Sequence, residues 1–312
     1  MSTPLYIPHR HGIAAPVLLR HHIATIGRAS SQVYLKLEMQ NPGGSVKDRI
    51  ALSMIEEAEK RGDIDPARTT IVEATSGNTG IGLAMVAAAK GYKCIIVMPQ
   101  VPSMYERYIL VRKFGCDVHL TSVMQDNFPK TIENLIGYST ELVKKNPDYW
   151  TPSQFDSEDN PLAHLTGTGP EIWEQTDGEV DCFVAGAGTG GTLNGAGQYL
   201  KSKKPSCRVV CVEPTEARVL VGAPGGMHGV VGIGANLQLP LIEKLAPGQE
   251  PTQMTPSPTP RPLLIFFLAR AGVGRGAAGR NRRVCARVDA RVMRVGQPRR
   301  RAGGVPTHGG GV

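Results

Sequence analysis

One lysine of this sequence opens a predicted helix, where its charge is disfavoured. Lys47 follows the turn Asn41-Pro-Gly-Gly-Ser-Val and precedes Asp48 and Arg49. The dipole and the N–H groups of a helix N-terminus favour anions over cations. A lysine whose charged form is penalised keeps a neutral amine, which can condense with an aldehyde. Position alone leaves an alternative, in which the side chain extends into water.

A second polar segment lies between a predicted strand and a predicted helix. Residues 73–80 read Glu-Ala-Thr-Ser-Gly-Asn-Thr-Gly. Hydroxyls, an amide and backbone N–H groups at the carboxyl end of a strand form a cup for a carboxylate or a phosphate. Ordinary capping explains one or two of these residues. The whole segment favours an anion site.

A third segment is rich in glycine. Residues 186–192 read Gly-Ala-Gly-Thr-Gly-Gly-Thr and contain the spacing G-x-G-x-x-G. Glu213 ends the next predicted strand, close to where a dinucleotide-binding unit keeps its ribose acid, so a nicotinamide-dependent oxidoreductase is one alternative. The motif falls late in the chain, and Thr189 and Thr192 suit a terminal phosphate monoester better than a pyrophosphate.

The elements that must position these segments alternate between β-branched runs and amphipathic stretches, which predicts α/β architecture with parallel sheets covered by helices. Ser45 is predicted to cap the first helix and Gly62 to end it. The predicted strands are 33–37, 70–74, 94–98, 117–120, 182–185 and 208–212. The further predicted helices are 81–90, 106–114, 124–145 and one that ends at Leu200.

Composition and charge exclude several classes of protein. The net charge of +8 is carried by residues 251–312, since residues 1–250 hold 23 Lys and Arg against 26 Asp and Glu. A nucleic-acid partner is therefore disfavoured. No apolar run is long enough to span a bilayer. Six cysteines without a CxxC pair indicate reduced core residues and no metal site, as in a cytoplasmic protein. The acid-poor stretch before Glu38 leaves import into a mitochondrion or plastid as an alternative.

The composition changes after Glu250. A proline-rich stretch leads into a sequence dominated by Arg, Gly, Ala and Val, the residues of GC-rich codons. This predicts that residues 251–312 are a tail translated from a foreign reading frame. A disordered, RNA-binding arm is the alternative.

Together, the three polar segments resemble the cysteine synthase and cystathionine β-synthase family, fold type II enzymes that use pyridoxal 5′-phosphate. The resemblance covers about residues 33–245, and the chain length leans toward the cysteine synthase branch. It implies a fold like that of the tryptophan synthase β-subunit, with two open, mostly parallel sheets flanked by helices. The strings that carry it are Asn41-Pro-Gly-Gly-Ser-Val-Lys-Asp-Arg49, Thr75-Ser-Gly-Asn-Thr-Gly-Ile-Gly-Leu-Ala84, Thr168-Gly-Pro-Glu-Ile-Trp-Glu174 and Gly188-Thr-Gly-Gly-Thr192.

The resemblance implies a role for each matching position. It makes Lys47 the Schiff-base lysine and Asn78 the partner of the cofactor's ring hydroxyl. The residues implied for the cofactor phosphate are Gly188, Thr189, Gly190, Gly191 and Thr192. The residues implied for the substrate α-carboxylate are Thr75, Ser76, Thr79 and Gln154, while Gly232 and Ile233 border the substrate entrance.

The implied reaction is β-replacement, which converts O-acetylserine and sulfide to cysteine and acetate. Cystathionine β-synthase or cyanoalanine synthase activity is an alternative. An inactive truncated isoform or paralogue is another, because the family's Gly-x-Ser-Ser-Gly-Ala segment, which faces the pyridine nitrogen, has no counterpart here. The resemblance also implies a homodimer and docking of a serine acetyltransferase tail.

The predicted organisation has four parts. Residues 1–38 form an N-terminal segment that is partly disordered. Residues 39–150 form a smaller α/β domain with the lysine and the carboxylate segment. Residues 151–250 form a larger, incomplete α/β domain with the phosphate segment, and residues 251–312 form the tail.

Overall fold

A computed structural model describes the elements of the chain. The described residues are 24–26, 32–75, 77–122, 128–226, 228, 230, 232–234, 237, 239–243, 252–254 and 266–270. The strands are β1 (Ala24–Ile26), β2 (Gln32–Lys36), β3 (Thr70–Ala74), β4 (Lys93–Pro99), β5 (Asp117–Thr121), β6 (Tyr149–Trp150), β7 (Cys182–Gly186), β8 (Arg208–Val212), β9 (Thr252–Met254) and β10 (Phe266–Arg270). The helices are α1 (Lys47–Arg61), α2 (Asn78–Lys90), α3 (Tyr105–Lys113), α4 (Phe128–Lys145), α5 (Asp159–Ala163), α6 (Gly169–Gln175), α7 (Gly191–Lys203) and α8 (Pro240–Glu243).

One sheet has four parallel strands in the order β5-β4-β3-β6. Alternate side chains of a strand point to opposite faces, so β3 contributes side chains to two hydrophobic cores, one on each face of the sheet. Ile71 packs with Met54 of α1 and Leu83 of α2. Val72 packs on the other face with Leu135 of α4. The sheet is therefore covered by helices on both faces.

The other sheet has six strands in the order β1-β2-β10-β7-β8-β9. The strands β7, β8 and β9 are parallel, whereas β10 and β1 run antiparallel to their neighbours. Phe183 and Val209 of this sheet pack against Leu193 and Leu200 of α7 and Ile172 of α6. Both sheets confirm the predicted α/β fold class.

Most of the predicted helix signals hold, with shifts at the cap of α1, at the start of α2 and at the end of α7, which runs to Lys203 instead of Leu200. Residues 124–127, the predicted start of the helix 124–145, lie outside the described residues. Gly62 and Gly91 end α1 and α2 in the left-handed region, at φ 78° and 81°. Val46, not Ser45, occupies the cap position of α1, although Ser45 Oγ accepts the Lys47 N–H at 3.2 Å. The helix α2 begins at Asn78, three residues before the predicted start, so poor helix formers are drawn into its first turn.

Sequence reasoning missed the helical region between β6 and β7. There α5 runs into a π-helical turn, His164–Thr168, and then into α6. Pro161, Gly167, Gly169 and Pro170 interrupt the 3.6-residue apolar pattern by which a helix is recognised.

Four cysteines are buried, as expected of core residues: Cys94, Cys116, Cys207 and Cys211. No helix of the described residues is long and apolar enough to cross a membrane. The strands β9 and β10 fall within the predicted tail, and the rest of that tail lies outside the described residues. The four-part domain division stays a prediction.

Candidate active site

Lys47 is the first residue of α1, and its side-chain amine is shielded from water. Burial lowers the pKa of Lys47 from 10.5 to about 8. The direction agrees with the prediction that its charged form is penalised. A Cβ added at Gly188 would lie 3.8 Å from Lys47 Nζ, so the amine faces the glycine-rich segment. A neutral amine at that place can act as a nucleophile or a base near neutral pH.

The two residues after Lys47 fix the start of α1. The buried Asp48 accepts the Gly43 N–H at 2.6 Å and so holds the preceding turn. Arg49 forms ion pairs with two carboxylates, Glu38 at 2.7 Å and Glu171 at 2.7 Å. Glu38 follows β2 and Glu171 lies in α6. The two ion pairs of Arg49 therefore connect α1 to the end of β2 and to α6. The residues next to Lys47 in the sequence therefore fix its position in the structure.

The glycine-rich segment forms a cradle at the N-terminus of α7. Gly190 adopts φ 91°, and a Cβ there would lie 2.6 Å from Ile242. A Cβ on Gly188 would lie 2.5 Å from the carbonyl oxygen of Gly232, and Gly191 packs against the Asn160 amide. Within the described residues, the cap position of α7 is Gly190, which has no side chain to bond the helix, and no acid lies in the first turn; Thr189 Oγ1 accepts the Gly191 N–H at a long 3.4 Å. Such an end, with its free N–H groups and dipole, favours an anion.

Both threonines of the cradle are held by residues that sequence reasoning missed. Asn160 Nδ2 donates to Thr189 Oγ1 at 2.9 Å. His164 Nε2 lies 3.2 Å from Thr192 Oγ1, and its Nδ1 lies 2.9 Å from Thr168 Oγ1. Burial, followed by the charges of Arg49 and Lys47, holds the pKa of His164 well below its usual range, so the ring is neutral.

Asn160 and His164 gave only a weak signal in the sequence. They precede the Thr168-Gly-Pro-Glu string, and Asn160 stands before a proline. Neither their spacing nor their types indicate a contact with residues 28 or 29 positions further along the chain. The helical turns of α5 and the π-helical turn make that contact.

The residues predicted for the substrate carboxylate come partly together. Thr79 Oγ1 donates to Gln154 Oε1 at 2.6 Å, and both residues are buried. Thr75 Oγ1 accepts the Gly77 N–H at 3.2 Å at the end of β3. Ser76 lies outside the described residues. Asn78, the residue predicted for the ring hydroxyl, is the exposed first residue of α2.

The segment that borders the cradle is Gly232–Gly234. The N–H of Gly234 donates to the Ala187 carbonyl at 3.0 Å. Ile233 is buried against Gly186, where a Cβ would lie 2.6 Å from Ile233 Cγ2. The predicted entrance residues therefore pack directly on the cradle.

Glu213, the ribose acid of the nicotinamide alternative, has a structural contact. Its buried carboxylate accepts the backbone N–H of Leu220 at 3.0 Å. A ribose would have to compete with that backbone contact.

These residues fit a phosphorylated aldehyde. The helix N-terminus with its threonine hydroxyls suits the phosphate, and the Lys47 amine lies beside the same glycine-rich segment, where it can meet the aldehyde carbon. Burial lowers the pKa of the amine to about 8, so a reactive neutral fraction is present near neutral pH.

The fold and this site define a pyridoxal-phosphate enzyme, and the chain belongs to the pyridoxal-phosphate dependent enzyme family, which matches residues 15–250. A cysteine synthase of Staphylococcus aureus (strain N315) is 48% identical over 207 residues, 66% of this chain and 64% of that protein. The chain thus spans less than two thirds of the length of the curated relatives it matches.

The solved structures that are similar to this chain include two that act on or depend on O-acetylserine according to their names. The O-acetylserine sulfhydrylase isoform 3 of Entamoeba histolytica has a TM-score of 0.69 and 36% identity, over 83% of this chain and 77% of that chain. The O-acetylserine dependent cystathionine β-synthase of Helicobacter pylori has a TM-score of 0.63 and 40% identity, over 68% of this chain and 67% of that chain. The predicted family, its fold and its cofactor, pyridoxal phosphate, are confirmed.

Proposed function

We propose that the chain is a cysteine synthase, which converts O-acetylserine and sulfide to cysteine and acetate by β-replacement. The observation that carries the proposal is the desolvated Lys47 amine beside Gly188, at the mouth of an anion-favouring cradle. The helix α2, whose first turn contains Thr79, packs against the start of α1, since a Cβ on Gly82 would lie 3.0 Å from the Lys47 carbonyl oxygen. The similarity to cysteine synthases supports the same reaction.

The chain's own residues divide the work. The bound cofactor supplies an aldehyde for amino groups and a ring that withdraws electrons from Cα. Lys47 holds the cofactor and takes the Cα proton of the substrate, a step for which an amine with a lowered pKa is suited. The N-terminus of α7, with Thr189 and Thr192, holds the phosphate.

The substrate α-carboxylate meets hydroxyl and amide donors. Thr75 Oγ1 already accepts a backbone N–H, so its own O–H is available to donate. Gln154 uses its Oε1 to accept from Thr79, and its side chain also hydrogen-bonds Glu73. This leaves one N–H of its NH₂ group to donate. Ser76 completes the predicted set, and Asn78 is assigned to the cofactor's ring hydroxyl. Gly232 and Ile233 line the entrance.

A β-replacement assay on the whole chain tests the proposal. The protein loaded with cofactor is given O-acetylserine and sulfide, and cysteine and acetate are quantified. Equal amounts of both products are expected from the wild-type protein and none above background from Lys47→Ala. Loaded protein that makes no cysteine would contradict the proposal.

Cystathionine formation is the second candidate, favoured by the similarity to the Helicobacter pylori enzyme. The same assay with homocysteine in place of sulfide separates the two. A cysteine synthase is expected to use sulfide with a kcat/KM at least tenfold above that for homocysteine. The reverse order would assign the chain to cystathionine synthesis.

A homodimer, docking of a serine acetyltransferase tail, and a cytoplasmic or organellar location complete the proposal. Exposed apolar side chains on α3, Tyr105 and Leu110 among them, support association with another protein surface. Light scattering of the purified chain is expected to give twice the 33.4 kDa chain mass. A monomer would contradict the dimer.

A further inference from the structure

A carboxylate lies inside β3, in a strand that is otherwise apolar or hydroxyl-bearing. Glu73 is 3% exposed in the strand Thr-Ile-Val-Glu-Ala and is paired in register with Ile96 of β4. Burial of an ionised carboxylate is costly unless hydrogen bonds satisfy it. Within the described residues, Glu73 accepts hydrogen bonds from hydroxyl, amide and backbone N–H groups, none of them cationic.

Those partners all come from one short segment, Thr151–Gln154. Glu73 Oε2 accepts from Thr151 Oγ1 at 3.1 Å and from the Ser153 N–H at 3.1 Å. Glu73 Oε1 accepts the Gln154 N–H at 3.2 Å. Ser153 has φ 52°, a left-handed conformation that is disfavoured for a residue with a side chain. The carboxylate thus holds a strained turn in place.

Gln154 stands at the end of that turn. Its side-chain Oε1 accepts from Thr79 Oγ1 at 2.6 Å, and its backbone oxygen accepts from Asn160 Nδ2 at 2.7 Å. Asn160 in turn contacts the cradle through Thr189. The placement of Gln154 therefore depends on the turn that Glu73 holds.

We propose that Glu73 is a positioning residue, whose ionised carboxylate holds Thr151–Gln154 so that Gln154, whose Oε1 accepts from Thr79, presents its remaining amide N–H to the substrate α-carboxylate. The inference rests on the proposed function, which assigns those two residues to the substrate. Glu73 itself touches neither substrate nor cofactor, and acts through Gln154.

The proposal implies a pH dependence. Burial raises the pKa of Glu73 to about 7, against the opposing hydrogen bonds of Gln154, Thr151 and Ser153. When Glu73 is protonated, its carboxyl O–H faces the hydroxyl and N–H groups of Thr151–Gln154, which are themselves donors. The turn then loses a carboxylate oxygen as a hydrogen-bond acceptor. Binding of the substrate carboxylate should therefore weaken as the pH falls through 7.

Cys94 on β4 is the titratable group that faces Glu73 in the described part of the chain. A hydrogen bond between the Cys94 thiol and Cys116, then burial, then the charges of Cys116 and Glu73 raise the pKa of Cys94 well above its usual range. The thiol stays neutral between pH 6 and 8.5, because its pKa lies above that window. A transition near pH 7 that disappears in Glu73→Gln is assigned to Glu73.

The test compares two amines on the protein loaded with pyridoxal phosphate. L-Serine carries the α-carboxylate, and ethanolamine is the same molecule without it. Half-saturating concentrations are read from the absorbance of the bound cofactor at pH 8.5 and pH 6. The proteins are wild type, Glu73→Gln and the surface control Glu141→Gln.

In wild type, the preference for L-serine over ethanolamine should fall about tenfold between pH 8.5 and pH 6, because hydrogen bonds to a charged group are lost. Glu73→Gln should show the reduced preference at both pH values, with ethanolamine binding unchanged. Glu141→Gln should behave as wild type. If wild type keeps its preference at pH 6, or if Glu73→Gln matches wild type at pH 8.5, the inference is overturned.

Failure of the proposed function looks different. A wild-type protein that binds both amines equally at pH 8.5 has no carboxylate site at Gln154 and Thr79, which overturns the assignment beneath the inference as well. The wild-type pH comparison alone decides the case if Glu73→Gln does not fold.

Discussion

Thr79 Oγ1 and Gln154 Oε1 lie 2.6 Å apart and join the N-terminus of α2 to the segment after β6. The two residues are 75 positions apart in the chain, yet both are predicted to take the substrate carboxylate. The Gln154 backbone continues the connection to Asn160 and the phosphate cradle. The proposed substrate and cofactor subsites thus share one chain of hydrogen bonds.

The Lys47 charge should destabilise the apoprotein at neutral pH. Burial lowers the pKa of Lys47 to about 8, so the folded state binds fewer protons than the unfolded state between pH 8 and 10.5. Below pH 8 the charge then costs about 3 kcal/mol. Lys47→Met should raise the urea unfolding free energy by about that amount at pH 7, and by less as the pH rises toward 10.5. Lys144→Met, on the exposed surface of α4, is the control. A Lys47→Met protein less stable than wild type at pH 7 would contradict the account.

The Thr192 hydroxyl should contribute to retention of the cofactor. Thr192 Oγ1 contacts the neutral His164 and is assigned to the phosphate. Thr192→Ala should weaken cofactor binding by about 1–3 kcal/mol, because a hydrogen bond to a charged group is lost. Titration of the apoprotein with pyridoxal phosphate measures the change. Thr166→Ala, whose exposed hydroxyl bonds to a helix carbonyl, should bind normally. Unchanged binding by Thr192→Ala would remove Thr192 from the phosphate site.

Gly188 should tolerate no side chain. A Cβ there would come within 2.5 Å of the Gly232 oxygen and 3.8 Å of Lys47 Nζ. Gly188→Ala should displace the Gly232 segment and lower cofactor affinity at least about tenfold, equivalent to about 1.4 kcal/mol. Gly137→Ala in α4, where a Cβ meets nothing within 4 Å, should instead be neutral or stabilise the chain by up to about 1 kcal/mol. Equal cofactor affinity in the two variants would show that the cradle is not built as described.

Arg49 should be a main anchor of α1. Its side chain is 7% exposed and pairs with the Glu38 side chain, which is 2% exposed, and with Glu171. Arg49→Met leaves a buried carboxylate without its cation, so urea unfolding should show a loss of about 3–5 kcal/mol. Arg112→Met removes an exposed ion pair with Asp117 and should cost less than about 1 kcal/mol. Similar losses in both variants would contradict the anchoring role.

Local patterns predicted much of the fold and the chemistry. The strand 70–74 and the helix stops at Gly62 and Gly91 follow from β-branched runs and from glycine in the left-handed region, which are properties of neighbouring residues. The glycine-threonine turn before α7 could be predicted from the sequence for the same reason.

Contacts between residues that are far apart in the chain could not be predicted from the sequence. Glu73 is a single acid in an apolar strand, and nothing near it in sequence shows that residues 78 to 81 positions later donate to it. His164 meets Thr192 only because a π-helical turn places it there. The antiparallel insertion of β10 between β2 and β7 is equally a product of the whole chain.

Borohydride reduction of the protein loaded with pyridoxal phosphate tests the central claim most directly. Reduction fixes the cofactor to the amine that holds it, and peptide mapping by mass spectrometry locates that amine. The account predicts one phosphopyridoxyl group, on Lys47, and none on Lys47→Ala treated in the same way. A label on another lysine, or a wild-type chain that retains no cofactor, would contradict it.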